Sequence, residues 1–73
     1  MKDKEAYDLN QRLEGLKNYH KALCDRLCAE FGSVTKARSA KRKGNRHAEN
    51  LLEAKRTAKN DILEVKNMLK RLL

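Results

Sequence analysis

Apolar residues recur along two stretches of the chain at alternating intervals of three and four. In the first stretch the series consists of Ala6, Leu9, Leu13, Leu16, His20, Leu23 and Leu27. In the second it consists of Ala48, Leu51, Lys55, Ala58, Ile62, Val65, Leu69 and Leu72. This spacing places each series along one side of an α-helix, as in helices that pack along a shared seam. We interpret His20, the polar member of the first series, as a residue that fixes the register of the core.

The two series predict helices over about residues 3–31 and 46–73, joined by a connector at 32–45. Asp3 is suited to cap the first helix, and Gly32 is suited to end it. Because the helices are of nearly equal length, they predict an antiparallel two-helix hairpin, with residues 1–73 forming one domain. Proline is absent and helix-favouring residues dominate, so the fold class is predicted to be all-α.

The connector admits two arrangements. In the first, Ser33 or Thr35 caps a short middle helix. In the second, the second helix begins near Val34 and continues through Gly44 to the end of the chain. A glycine inside a helix costs only about 1 kcal/mol relative to alanine, so helix propensity leaves both arrangements open.

The second helix has a wide apolar stripe, and the width of this stripe indicates how many helices pack against it. The second apolar series is flanked by four further apolar residues: Leu52, Leu63, Met68 and Leu73. A wide stripe favours contact with two neighbouring helices, and a chain of 73 residues buries only a small core. We therefore expect two hairpins to pair as a homodimeric four-helix bundle. The predicted core and dimer residues are Leu9, Leu13, Leu16, His20, Leu23, Leu27, Leu51, Ala58, Ile62, Val65, Leu69 and Leu72. Gly15, beside the first series, is either a tolerated glycine or a point of close helix approach.

The charge of the chain indicates a polyanionic partner. The net charge is +8 and the isoelectric point is near 9.8. Residues 36–47, KARSAKRKGNRH, contain six lysines and arginines and no acidic residue. Further cations recur along one side of the second helix. A line of positive charge on a straight rod suits the phosphates of a duplex. The predicted nucleic-acid-binding residues are Lys36, Arg38, Lys41, Arg42, Lys43, Arg46, Arg56, Lys59, Lys66 and Lys70.

The aromatic residues bear on the type of nucleic acid. Proteins that bind single strands stack bases on aromatic side chains, and here Tyr7, Tyr19 and Phe31 all belong to the first helix. This favours recognition of the backbone and shape of a duplex, with RNA slightly favoured over DNA. The run KRTAKNDILEVKNMLKRL, residues 55–72, resembles the second helix of a small basic hairpin protein of the bacterial large ribosomal subunit, which lies on ribosomal RNA. Small viral suppressors of silencing that bind double-stranded RNA are similar in architecture only.

Protein interaction is the alternative function. Basic and acidic residues alternate along the first helix, and this pattern suits an assembly module that binds an acidic protein partner equally well. An interfacial membrane helix is disfavoured because the apolar stripes are needed for the core. The polar N-terminus, the lack of a long apolar run and two free thiols predict an intracellular protein that does not enter a membrane.

Catalysis and metal binding find little support in the sequence. His20, Cys24 and Cys28 follow one another at intervals of four, and three such positions rise about 12 Å along a helix, too far to converge on one zinc ion. We interpret both cysteines as small apolar fillers beside the core. A nucleophile with a base and an orienting group is not evident, nor is a glycine-rich phosphate loop. The sequence therefore predicts a non-enzymatic protein without a metal or cofactor.

Overall fold

Three helices follow one another along the chain. The computed structural model describes residues 2–72, which form α1 (Lys2–Phe31), α2 (Val34–Arg42) and α3 (Arg46–Leu72). Helix accounts for 93% of the structure and no strand occurs between residues 2 and 72, so the all-α prediction is confirmed. Leu73, which the sequence placed beside the second apolar series, lies outside the described residues.

The two long helices pack side by side in opposite directions. At the closed end, Leu23 and Leu27 of α1 share a buried cluster with Leu51 and Ala58 of α3. Toward the open end, Leu13 packs with Ile62 and Val65 in a second buried cluster. Three partly buried leucines pack against this cluster: Leu9, Leu16 and Leu69. The result is a rod measuring 49 × 18 × 15 Å, which is thin enough that most side chains lie near solvent.

The short helix α2 completes the core at the closed end. Ala37 has no exposed surface and lies in the same cluster as Leu23 and Leu27 of α1. Val34 and Phe31 cover its edge as partly buried residues. An alanine at this position lets the backbone of α2 approach both long helices closely, and its burial sets which side of α2 faces solvent.

Two glycines separate α2 from its neighbours. Gly32 has φ +92° and Gly44 has φ +94°, values that side chains other than glycine adopt rarely. Each stops the helix before it, and a polar side chain then starts the next one. Ser33 Oγ accepts a hydrogen bond from Lys36 N at 3.1 Å, and Asn45 Oδ1 accepts one from Ala48 N at 3.1 Å. Of the two arrangements that the sequence allowed, the structure therefore has the middle helix, because Gly44 leaves the helical conformation.

The cap of α2 gives a testable stability difference. We expect Ser33→Ala to lower the free energy of unfolding by about 1 kcal/mol, because Lys36 N loses its hydrogen-bond acceptor. Thr35→Ala is the matched control, since Thr35 was the other candidate cap and is exposed within α2. It should change stability by less than about 0.5 kcal/mol. Urea unfolding followed by circular dichroism measures both, and equal losses would contradict the assignment of the cap.

The predicted core residues fall into two groups. Those buried within the protomer are Leu13, Leu23, Leu27, Leu51, Ala58, Ile62 and Val65. Those partly buried are Leu9, Leu16, His20, Leu69 and Leu72. Ala48, the first member of the second series, is also buried, and Ala37 of α2 is a buried alanine that was not predicted, because alanine is common on every side of a helix. Leu63 remains 51% exposed, because α3 packs against only one other long helix of the chain and Leu63 is on its outer side.

Candidate nucleic-acid interface

Positive charge is concentrated in the second half of the molecule. Helix α1 contains six basic and six acidic residues, so its charges balance. Residues 34–43 contain five basic residues and no acidic one. Helix α3 contains seven basic and four acidic residues. The whole net charge of +8 therefore belongs to α2, α3 and the turn between them.

An open groove between α2 and α3 brings many of these cations together. Its volume is about 950 Å³. The basic residues that line it are Arg38, Lys41 and Arg42 from α2, and Lys55, Arg56 and Lys59 from α3. Leu52 lines the groove as an apolar residue, and Glu49 and Glu53 are its two carboxylates. With six cations against two carboxylates, the groove attracts anions, and its concave shape concentrates that attraction.

The packing of α2 accounts for this convergence. Because Ala37 is buried against both long helices, the opposite side of α2 faces outward. Arg38 and Arg42 are four residues apart and share a side of α2 that is turned away from Ala37, while Lys41 projects from the edge between this side and the buried one. That side lines the groove across from Arg56 and the other α3 cations. Cations about 18 residues apart in sequence thus meet because α2 folds back on α3.

A row of residues continues from the groove along α3. It consists of Leu52, Arg56, Lys59, Leu63, Lys66 and Lys70, at alternating intervals of four and three. This spacing keeps all six on one side of the helix. From Lys59 to Lys70 the row extends about 16 Å beyond the groove at 1.5 Å per residue. Lys66 and Lys70 do not line the groove, but they extend its positive charge toward the open end of the rod.

Other predicted binding residues lie elsewhere. Lys36, Lys43 and Arg46 are exposed at the two ends of α2 and the start of α3, and none of them lines the groove. Lys55 does line it, although the sequence assigned Lys55 to the apolar series. A lysine can cover apolar surface with its stem while its ammonium group reaches solvent, and Lys55 is half-buried in this way. Because Lys55 directly precedes Arg56, a predicted binding residue, the sequence could have indicated that Lys55 also belongs to the groove.

A polar contact fastens the closed end of the hairpin. His47 Nε2 at the start of α3 donates a hydrogen bond to Glu30 Oε2 near the end of α1, with 2.8 Å between the atoms. Arg26 Nε lies 3.7 Å from the same carboxylate oxygen. The rings of His47 and Phe31 are 6.2 Å apart. Through these contacts His47 links α3 to α1 at the closed end of the hairpin, and it does not line the groove.

The residues considered as zinc ligands do not form a metal site. His20 Nδ1 is 3.9 Å from Cys24 Sγ, and His20 Nε2 is buried without a hydrogen-bond partner. Both cysteines are free. Cys24 is partly buried, but Cys28 is exposed, so the interpretation of Cys28 as an apolar filler is wrong. Over the described part of the chain, no three His, Cys, Asp or Glu side chains are grouped so that they could hold a metal ion.

Comparison with known proteins finds no match to a family model, a curated protein or a solved structure. Between residues 2 and 72, no helix has the length and apolar character needed to cross a membrane. The interpretation of the basic groove therefore rests on its own geometry and charge.

Proposed function

We propose that this protein binds duplex nucleic acid without sequence specificity, through phosphates held by the α2–α3 groove and the α3 row. The observation that supports this proposal most directly is the convergence of Arg38 and Arg42 with Arg56 in one open groove. Arginine can hold a phosphate with two parallel hydrogen bonds, which lysine cannot do. The remaining cations along α3 would extend the contact over a rod-like surface, as the regular phosphate line of a duplex requires.

The aromatic residues and the shape of the site favour a duplex over a single strand. Tyr19 lines a separate furrow between α1 and α3, and Phe31 packs beside His47. None of the three aromatic residues of the chain lines the basic groove, so bases have no stacking partner there. Double-stranded RNA is recognised mostly through its shape and backbone, which needs no such partner, and RNA is therefore slightly favoured over DNA.

We further propose that the protein is an intracellular homodimer in the form of a four-helix bundle. The buried core of one protomer consists of nine small or aliphatic side chains, which is little for a chain of 73 residues. Pairing would bury further apolar surface of the two long helices. The two free cysteines suit a reducing compartment.

An acidic protein partner is the second candidate function. Leu52 and Leu63 belong to the same row as the α3 cations and are separated by three helical turns. Apolar residues at this spacing, flanked by cations, suit an acidic amphipathic helix lying along α3. On a duplex, by contrast, the exposed Leu63 would face a groove between phosphates and contribute little to non-specific binding.

A titration separates the two candidate functions. Purified protein is titrated against duplex RNA, duplex DNA and single strands of equal length at two salt concentrations, with fluorescence anisotropy as the readout. We expect tighter binding to duplexes than to single strands, and a steep fall in affinity as salt rises, because counterions are released from each neutralised phosphate. Binding that is absent at low salt, or independent of salt, would contradict the nucleic-acid proposal and favour the acidic partner.

A further inference from the structure

A second, shallower furrow lies on the other flank of α3, between α1 and α3. Its volume is about 340 Å³, and Leu16 and Tyr19 of α1 line it together with Ala54, Thr57 and Asp61 of α3. Glu53 and Thr57 line both the furrow and the basic groove, so they form the ridge that separates the two. The groove combines six cations with two carboxylates, whereas the furrow is lined by two carboxylates, Glu53 and Asp61, and by no lysine or arginine.

Tyr19 is unusual among the residues of this furrow. It is a large ring that remains 52% exposed, beside the small side chains of Ala54, Thr57 and Ala58. Along α1 it belongs to a row with Arg12, Gly15, Ala22 and Arg26, at intervals of three and four. Apart from the adjoining residues and the backbone of its own helix, no described atom lies within 4 Å of where a Cβ on Gly15 would be. The face thus combines one projecting aromatic ring with space on either side of it.

We propose that this furrow is the face through which two copies of the chain pair, with the twofold axis parallel to the long axis of the hairpin. The inference rests on the dimer proposed above and specifies its interface. Such an axis sets α1 of one protomer against α3 of the partner subunit in antiparallel orientation. Rotation about this axis leaves the position of each residue along the rod, which we call its level, unchanged. The two furrows therefore meet directly.

The level of Tyr19 then determines what it contacts. Within one protomer Tyr19 and the segment from Ala54 to Asp61 line the same furrow and are therefore at the same level. Under the twofold axis, the ring of Tyr19 inserts over the small residues of the partner subunit. Its hydroxyl group can donate a hydrogen bond to the carboxylate of Asp61 of the partner subunit. A tyrosine with an apolar ring and a polar tip is well suited to the centre of an interface.

Charge complementarity supports the same pairing. In the core, Leu13 packs with Ile62 and Val65, so Arg12 and Glu64 are at nearly the same level along the rod. Both are exposed, and both belong to the furrow side of their helices. The twofold axis brings Arg12 of each protomer to Glu64 of the partner subunit, and this pair forms twice in the dimer.

The other faces are less suitable for self-association. Pairing through the basic groove would set Arg56 and Lys59 against their own copies, which like-charge repulsion opposes. The molecule measures 49 × 18 × 15 Å, so one long side of the rod has about the 800 Å² per partner that a stable interface buries. With the furrows joined, the two basic grooves face outward on opposite sides of the dimer and stay free for phosphates.

Charge-reversal variants test this pairing by sedimentation equilibrium. Arg12→Glu alone, or Glu64→Arg alone, places like charges opposite each other twice, so each variant should be monomeric where the parent is dimeric. An equimolar mixture of the two variants restores both pairs in trans and should form a heterodimer. Lys21→Glu is the matched control, because residue 21 follows residue 12 by nine positions and so lies on the opposite side of α1. It should remain dimeric.

Tyr19→Ala is the second variant, and it leaves the protomer core untouched because the ring is half exposed. We expect the dimer dissociation constant to rise by at least about tenfold, with unchanged helix content. If every variant remains dimeric like the parent, or if the mixture of the two charge variants stays monomeric, the proposed interface is wrong even though the protein dimerises. A parent that is monomeric throughout would overturn both the dimer and the interface. Salt-dependent duplex binding by the monomeric variants would remain as separate support for the basic groove.

Discussion

Replacing Arg38, Arg42 and Arg56 together with glutamine is expected to weaken duplex binding by about one to two orders of magnitude near physiological salt. The three guanidinium groups line one groove, so their loss removes phosphate contacts from both of its walls. On DNA, the slope of log affinity against log salt should flatten by up to about 2.7 units per protomer, at about 0.9 units for each phosphate. The loss should be nearly uniform across sequences, because phosphate contacts carry no sequence information.

A second triple variant serves as the control for charge alone. Lys4, Lys17 and Arg71 are exposed and lie outside both the groove and the α3 row, and their replacement by glutamine removes the same net charge. We expect this variant to keep most of the affinity and the salt slope of the parent. Helix content should be unchanged in both variants, since glutamine is nearly as good a helix former as lysine and arginine. Equal losses in the two variants would mean that the groove has no special role.

Replacing Leu27 with alanine is expected to destabilise the protein by about 2–5 kcal/mol. Leu27 has no exposed surface and lies where the three helices meet, so the cavity left behind cannot collapse easily. A domain of 73 residues has a total stability of only about 4–11 kcal/mol at the usual 0.05–0.15 kcal/mol per residue. We therefore expect the variant to lose a large share of its stability, seen as a clear fall in both the melting temperature and the urea midpoint of unfolding.

Leu63→Ala is the matched control for this loss, with the same chemical change at a leucine that is 51% exposed. Its effect on the free energy of unfolding should stay within about 0.5 kcal/mol. If Leu27→Ala were as stable as Leu63→Ala, the cluster at the closed end would not be the main core. A large loss from Leu63→Ala would instead indicate that this side of α3 is covered in the folded assembly.

The all-α class, and the sides of the two long helices that face each other, could both be predicted from the amino-acid sequence. Both properties depend on a local period, because residues three and four apart share a side of a helix whatever surrounds them. Leu13, Leu23 and Leu27 of the first series, with Ile62 and Val65 of the second, are buried in the protomer for this reason. The excess of positive charge in the second half of the chain was equally visible, since it depends only on composition.

The course of the connector and the set of residues that share the basic groove could not be predicted in this way, because both depend on how the helices pack. Gly32 and Gly44 leave the helical conformation, and helix propensity could not show this because an interior glycine costs little. Burial of Ala37 then turns Arg38 and Arg42 toward Arg56, while Lys36, Lys43 and Arg46 are left outside the groove. Spacing along a chain fixes which side of one helix a residue is on. Which helices meet, and which charges converge, depends on contacts between segments far apart in sequence.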